Sequence, residues 1–273
     1  MLSSRRILIL AILGALLLLN GCASTTQSGA VGIERKQFLL VSQQDAEQGA
    51  AKFYAQEKQK FAAKGALNHD PAETARVRGI AQHLINQVGV FRPDARNWNW
   101  EVNVLQSSEL NAYCAAGGKI AVYSGLIEKL KLTDDELASV MGHEIAHALR
   151  EHSREAMSQV VAQQMGIAVL GAALNMGGLT QDLLDKAATV AIQLPNSREK
   201  ETEADRIGLE LTARAGYDPR AAVSMWKKMV ANGGGHPPEF LSTHPNPESR
   251  MQDIENYLPR VMPLYEQARR TRK

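Results

Sequence analysis

The chain has 273 residues, which is enough for one large domain or two small ones with a sizeable core. Its formal charge of +2 comes from Arg5 and Arg6, since the remaining basic residues equal the 29 acidic ones in number. This balance, with no basic run and no interleaving of basic and aromatic residues, argues against nucleic-acid binding.

The N-terminus carries a targeting pattern. An apolar run over residues 7–19 follows the two arginines, and it has the length of a secretory signal core but is short for a membrane-spanning helix. It ends in Leu-Asn-Gly followed by Cys22, which resembles a bacterial lipobox. We therefore predict a lipoprotein signal peptide over residues 1–21 and lipid on Cys22. The alternative is an ordinary anchor helix with an incidental cysteine.

The residue after Cys22 is Ala23 and not Asp, which by resemblance to lipoprotein sorting indicates the outer membrane of a Gram-negative cell. We expect a chain anchored there by lipid and facing the periplasm. Residues 22–42 are predicted to be the anchor and a flexible tether, and residues 43–273 the folded domain. If Cys22 carries lipid, Cys114 has no intramolecular partner for a disulfide, so we expect a buried thiol or an intermolecular bridge.

The folded part begins with two predicted helices, at residues 43–63 and 71–89. Alternating apolar and polar residues from Trp98 to Val104 predict a half-buried strand, and residues 111–122 look extended. Helices are predicted near residues 126–131, 134–152, 155–175, 180–193, 197–215, 219–231 and 247–257. The predicted fold class is one α+β domain, mostly helical, with a small sheet over the helix of residues 134–152.

The stretch of residues 165–179 is apolar, contains several glycines and has almost no charge. It is too short and too interrupted by glycine to predict as a membrane span. A core helix or hairpin, a mobile flap near the site and a membrane-facing hairpin all remain open for it.

The predicted helix of residues 134–152 carries the sequence His-Glu-Ile-Ala-His at residues 143–147. His143 and His147 lie four residues apart, so both imidazoles project from one face and can reach one zinc ion. Glu144 can stand beside the metal and take a proton from water as the general base. The same string also arises by chance, as two exposed histidines with an unrelated Glu.

A catalytic zinc needs a third protein ligand and one open position, whereas a structural zinc is closed by four. Glu201 and Asp205 lie four apart on the predicted helix of residues 197–215. We predict that Glu201 is the third ligand and that Asp205 accepts a hydrogen bond from a ligand histidine. Without the upstream motif these acids would be a solvated face. Glu203 is a weaker candidate, and His152 looks incidental.

Further motifs accompany the His-Glu-Ile-Ala-His sequence. After it come Glu-Thr-Glu-Ala-Asp at 201–205, Gly-Tyr-Asp-Pro at 216–219 and Ser-Thr-His-Pro at 242–245; before it come Leu-Asn-Ala-Tyr at 110–113 and Gly-Gly-Lys-Ile-Ala-Val at 117–122. Together these motifs span roughly residues 105–256. They resemble the gluzincin metallopeptidase family, which includes the CAAX prenyl endopeptidases and HtpX, and look closest to its periplasmic lipoprotein members of the BepA and LoiP type. One departure is the pair Ala115-Ala116, where the family usually has Pro before the paired glycines.

The resemblance implies a mostly helical zincin domain with one zinc ion per chain. His143, His147 and Glu201 would be its ligands, and Glu144 the general base. It also implies that the strand of residues 119–123 is an edge on which substrate lies as an added strand.

His244 and Arg250 are candidates for the second positive or donor group that a tetrahedral oxyanion needs. His244 is predicted near the zinc, where it either donates to the oxyanion or occupies the open position at rest, and the resemblance supports the second role. A surface turn is the alternative. Arg250 is predicted to hold this loop by a salt bridge.

The predicted function is a zinc metalloendopeptidase, a hydrolase that cleaves unfolded or misassembled cell-envelope proteins. The alternative is a protease-like chaperone or assembly factor for outer-membrane proteins with latent peptidase activity. Pure binding does not need Glu144, so the intact motif favours the enzyme. Expected partners are these substrates, the membrane through Cys22 and outer-membrane assembly machinery, with no nucleic acid.

Overall fold

The computed structural model describes residues 22–172, 186–187, 189–191, 195–232 and 239–271. The helices are α1 Gln43–Ala62, α2 Pro71–Ile85, α3 Ser124–Leu130, α4 Asp134–Leu149, α5 His152–Ala172, α6 Arg198–Arg214, α7 Ala221–Ala231, α8 Glu239–Thr243 and α9 Pro247–Thr271. The strands are β1 Cys22–Ala23, β2 Gln37–Phe38, β3 Glu101–Leu105, β4 Ala112–Ala115 and β5 Lys119–Tyr123. The predicted fold class, a mostly helical α+β domain with a small sheet, is confirmed.

Helix α4 forms the centre of the core. Its first turn is closed by a capping box, in which the Thr133 hydroxyl accepts from the backbone N–H of Glu136 and the Glu136 carboxylate accepts from that of Thr133. Fourteen of its residues are buried, and it packs against α2, α6, α7 and β4. Close packing on these sides fixes the positions of its buried side chains.

The three-stranded sheet has the order β3-β5-β4, with β5 parallel to β3 and antiparallel to β4. The β4–β5 connection turns at Gly117 and Gly118, whose φ angles of 75° and 81° suit glycine. Because β4 folds back on one side of β5 and β3 pairs with the other, the prediction that residues 119–123 form an edge is wrong. The outer edge of β4 pairs with no described strand.

Several element boundaries differ from the sequence predictions. The strand expected from Trp98 begins at Glu101, because Pro93 opens a 3-10 turn and the Trp100 indole donates to the Ala95 carbonyl. Helix α2 ends at Ile85 rather than near residue 89, and a separate 3-10 turn follows at Val88–Val90. Helix α9 continues to Thr271 in spite of two internal prolines.

The N-terminal segment, residues 22–42, is packed against the domain and is not a flexible tether. Strand β1 pairs antiparallel with β2, and Val31, Ile33 and Val41 are buried. Arg35 lies between the carboxylates of Glu155 and Glu203, 2.6 Å and 2.8 Å away. The tether prediction rested on the small polar residues near Cys22 and gave no weight to these apolar and charged anchors.

Parts of the predicted organisation lie outside the described residues. These are the signal peptide at 1–21, residues 173–179 of the apolar stretch, and most of the helix expected at 180–193. Residues 165–172 continue helix α5. Within the described ranges, we find no helix with the length and apolar character needed to cross a membrane.

Candidate metal centre

The two histidines of α4 meet because the helix places residues four apart on one face. His143 and His147 are both buried, and their Nε2 atoms lie 3.0 Å apart. The close packing of α4 holds both rings, so two nitrogen donors converge on one point.

Glu201 reaches these histidines from the neighbouring helix α6. Its carboxylate is fully buried, with Oε1 3.3 Å from Nε2 of His147 and Oε2 3.4 Å from Nε2 of His143. Two glycines allow the approach. A Cβ on Gly208 would lie 2.7 Å from the backbone nitrogen of His143, and one on Gly142 would lie 3.0 Å from the Gly208 carbonyl oxygen. The helices therefore touch backbone to backbone beside His143, which brings α6 close enough for the Glu201 carboxylate to reach both imidazoles.

His244 completes the cluster from the turn between α8 and α9. Its Nδ1 lies 3.0 Å from Oε1 of Glu201 and 3.2 Å from Nε2 of His143, and the ring is buried. Its other nitrogen, Nε2, lies 3.4 Å from Oε1 of Glu144. The structure thus brings together the predicted ligands, the predicted base and the loop histidine.

The donor atoms of this cluster suit a divalent metal ion. One ligand atom from each of His143, His147, Glu201 and His244 lies within 4.8 Å of the other three. Ligands that surround zinc tetrahedrally at 2.0–2.1 Å are about 3.3 Å apart, close to the distances of 3.0–3.4 Å found here. Among the described residues, Oε1 of Glu144 is buried without a hydrogen-bond partner and faces this cluster. The site therefore fits a metal with a polar species beside it.

Asp205 and Arg250 bind the cluster residues on the side away from the converging donor atoms. Oδ1 of Asp205 lies 3.0 Å from Nδ1 of His143, and because a carboxylate only accepts, Nδ1 carries the proton and Nε2 faces the other donors. Arg250 donates to Asp205 at 2.6 Å and pairs with Glu201 at 2.5 Å. It also donates to the His244 carbonyl at 3.4 Å, so it joins the loop to α6 as well as neutralising two carboxylates.

His152 and Glu203 lie directly behind His147, so His152, which the sequence did not connect to the site, is buried in contact with a predicted ligand. Nδ1 of His152 lies 2.8 Å from Nδ1 of His147, and its Nε2 lies 3.0 Å from Oε2 of Glu203. Helical spacing could not predict this contact, because α4 ends before Glu151, where φ is 51°, and His152 starts a new helix. Burial lowers the pKa of His152 to about 4.

A cleft runs beside the cluster. Its lining includes Glu144, His147 and His244, residues of β4, and aromatic rings from α1 and β5. Tyr113 and Tyr123 both donate to the Glu57 carboxylate. Cys114, on β4, is a buried free thiol whose pKa is raised by burial, which agrees with the first of the two expectations for it.

Comparisons with known proteins agree with this geometry. Residues 71–258 match Peptidase family M48. The chain is 39% identical over 152 residues to the mitochondrial metalloendopeptidase OMA1 of Arabidopsis thaliana, covering 56% of this chain and 30% of that protein. It is 32% identical over 212 residues to the OMA1 of Bos taurus, covering 73% and 40% respectively. It is 30% identical over 214 residues to the beta-barrel assembly-enhancing protease of Escherichia coli, covering 74% and 42%. The chain therefore spans less than half the length of these three relatives.

Proposed function

We propose that this chain, which belongs to peptidase family M48, is a zinc endopeptidase whose ion is held by His143, His147 and Glu201, as the metalloendopeptidase and protease names of its relatives support. The observation that carries the proposal is the spacing of 3.0–3.4 Å among these three buried donors. Two imidazoles and one carboxylate form a donor set of catalytic zinc sites, with one position left for water or substrate.

Glu144 is the proposed general base. A zinc ion held by the three ligands would lower the pKa of a water molecule and polarise a scissile carbonyl. Glu144 lines the cleft beside those ligands, and its Oε1 is free of hydrogen bonds within the described part of the chain. Burial raises the pKa of Glu144, which suits a group that accepts a proton from water and returns it to the leaving amine.

His244 is proposed to fill the fourth position in the resting enzyme. Its Nδ1 lies as close to Glu201 and His143 as those ligands lie to each other. A substrate carbonyl would have to displace this ring, so the distances favour a peptidase that is latent until the turn between α8 and α9 moves. The same feature favours the second candidate function, a chaperone or assembly factor that cleaves rarely.

The substrate is proposed to bind as an extended strand along β4. The outer edge of β4 pairs with no described strand and lines the cleft, while its other edge pairs with β5. An unpaired edge binds any peptide backbone through main-chain hydrogen bonds, with little demand on sequence. This supports unfolded polypeptides as the substrate class.

The proposed setting is the cell envelope. The lipobox-like sequence before Cys22 supports an outer-membrane lipoprotein facing the periplasm, with residues 1–21 as its signal peptide and residues 43–273 as its metallopeptidase domain. One relative is named for enhancing beta-barrel assembly. Together they support misassembled envelope proteins as substrates and outer-membrane assembly machinery as a partner.

Cell fractionation of a Cys22→Ala variant tests the anchor. We expect the full-length wild-type chain in the outer-membrane fraction and the variant outside it, because the variant lacks the acceptor for lipid. Ser28→Ala, in the same segment, is the control and should behave as wild type. Equal membrane recovery of both chains would contradict the lipoprotein proposal.

Two substitutions separate metal binding from chemistry. In Glu144→Gln we expect one bound zinc per chain and a fall in cleavage of an unfolded protein by roughly 10²–10⁴-fold, since the base is lost. In Glu201→Ala we expect loss of stoichiometric zinc, since a ligand is lost. Elemental analysis and a cleavage assay measure both effects.

Glu255→Gln serves as the control, because Glu255 is an exposed glutamate on α9. It should keep zinc and activity. A wild-type chain that binds no zinc would overturn the assignment, and a Glu144→Gln variant as active as wild type would remove Glu144 from the mechanism.

A further inference from the structure

In the two histidines that we assign to zinc, the ring nitrogens that face away from the metal have different hydrogen-bond partners. Nδ1 of His143 meets the carboxylate of Asp205 directly, at 3.0 Å. Nδ1 of His147 instead meets Nδ1 of His152, at 2.8 Å, and the carboxylate of Glu203 stands beyond that second imidazole. Both arrangements end in a buried carboxylate, but the second includes one more ring.

The direction of the hydrogen bonds follows from what each group can donate. Glu203 accepts only, so Nε2 of His152 carries the proton and donates to it at 3.0 Å. In a neutral imidazole the other nitrogen then has a lone pair, so Nδ1 of His152 accepts from Nδ1–H of His147. This tautomer leaves the Nε2 lone pair of His147 pointing at Glu201 and His143.

Glu203 is itself held by two arginines. Arg150 donates to it at 3.1 Å, and this guanidinium is fully buried. Arg35, from the N-terminal segment, donates to it at 2.8 Å and to Glu155 at 2.6 Å. The carboxylate behind His152 therefore depends on a residue that lies more than 100 positions earlier in the chain.

From these contacts we propose that His152 and Glu203 are positioning residues that orient His147 for metal binding, and that Arg35 extends this support into the N-terminal segment. The inference rests on the proposed zinc site and adds to it. A ligand histidine whose second nitrogen donates to a fixed acceptor is held in one tautomer and one orientation, and it binds metal more tightly for that reason. The N-terminal segment is then part of the metal centre and not only its link to a membrane.

The test is the dissociation constant for zinc in the full chain, measured by competition with a chromophoric chelator at fixed pH. His152→Leu should weaken zinc binding by roughly 10–100-fold, the usual effect of losing such a partner. His152→Asn keeps an acceptor close to the position of Nδ1 and should recover part of the affinity. His69→Leu, at an exposed histidine whose ring bonds the Gly65 carbonyl, should bind zinc as wild type does.

A double-mutant cycle tests the path through Arg35. Arg35→Gln alone should weaken zinc binding by less than His152→Leu. In the His152→Leu background it should have no further effect beyond about twofold, because the residue through which it acts is gone. A merely structural role for Arg35 would give the same loss in both backgrounds.

Circular dichroism of each metal-free variant shows whether it is folded. Folded His152→Leu with wild-type zinc affinity would overturn the inference while leaving the proposed function intact. Equal losses from Arg35→Gln in both backgrounds would remove the N-terminal segment from the metal centre. Absence of zinc binding by the wild-type chain would overturn the inference and the proposed function together.

Discussion

At the scale of single residues, the buried carboxylates of the centre differ in the partners that offset their burial. Burial alone raises the pKa of each, but Arg250 and the nearby histidines bring the pKa of Glu201 and of Asp205 below its usual range. Burial also raises the pKa of Glu203, but the hydrogen bonds from His152 and Arg35 outweigh it and lower the pKa to about 2. Only Glu144 among these four has a raised pKa. The raised pKa of Glu144 is in line with its proposed role as the proton acceptor, whereas the other three carboxylates have lowered pKa values.

Substitution of His244 distinguishes its two proposed roles. If the ring fills the fourth position, His244→Ala should raise kcat/KM on an unfolded protein, by roughly tenfold where the closed form is about 90% populated. Zinc content should stay at one ion per chain, because the three other ligands remain. The measurement is the steady-state rate of cleavage together with elemental analysis.

The opposite result has a defined meaning. A fall in kcat of about 10²–10³-fold at unchanged zinc content would identify His244 as a donor to the oxyanion. His69→Ala, at an exposed loop position, controls for the loss of an imidazole elsewhere. Unchanged activity and unchanged metal content would exclude both roles.

At the scale of elements, the contact between α4 and α6 decides whether a ligand from each helix can share one ion. The contact is closest at Gly142 and Gly208, where backbone meets backbone. Glu201 lies two turns before Gly208 on α6, and His143 directly follows Gly142 on α4. Any increase in the distance between the helices would separate the carboxylate from both imidazoles.

Gly208→Ala tests this contact. The new methyl group would lie 2.7 Å from the His143 backbone nitrogen and 2.9 Å from its Cα, and neither atom can rotate away. We expect a loss of about 1–3 kcal/mol in the free energy of unfolding, as in other overpacked cores. Zinc binding should weaken as well. Chemical denaturation of the metal-free chain and chelator competition measure the two effects.

Gly79→Ala is the matched control, because Gly79 lies inside helix α2 and a Cβ there meets nothing within 4 Å. Alanine is the better helix former by about 1 kcal/mol, so this variant should be as stable as wild type or more so. A Gly208→Ala variant that matches the control in stability and zinc affinity would show that α4 and α6 can separate freely.

At the scale of the whole molecule, sequence patterns predicted the features that depend on the spacing of residues within one helix or strand. The i, i+4 rule put His143 and His147 on one face of α4, and the paired acids of α6 on one face of that helix. The mostly helical α+β class follows from the same periodicities and is confirmed. These predictions succeed because a single helix determines the relation between its own residues.

Relations between elements could not be predicted in the same way. The order β3-β5-β4 depends on which strand pairs with which, and the period of two in a strand does not say whether that strand is central or at an edge. The contact from His147 to His152 crosses the end of a helix, and that from Arg35 to Glu203 spans most of the chain. No regular period links such positions.

The packed N-terminal segment also has a geometrical consequence. The backbone of Cys22 pairs with Phe38, and Arg35 is bound to Glu155 and Glu203. Cys22 is therefore held close to the body of the domain. If Cys22 carries lipid, as proposed, the cleft would lie at a nearly fixed distance from the bilayer. A substrate would then reach the cleft only within that distance of the membrane surface.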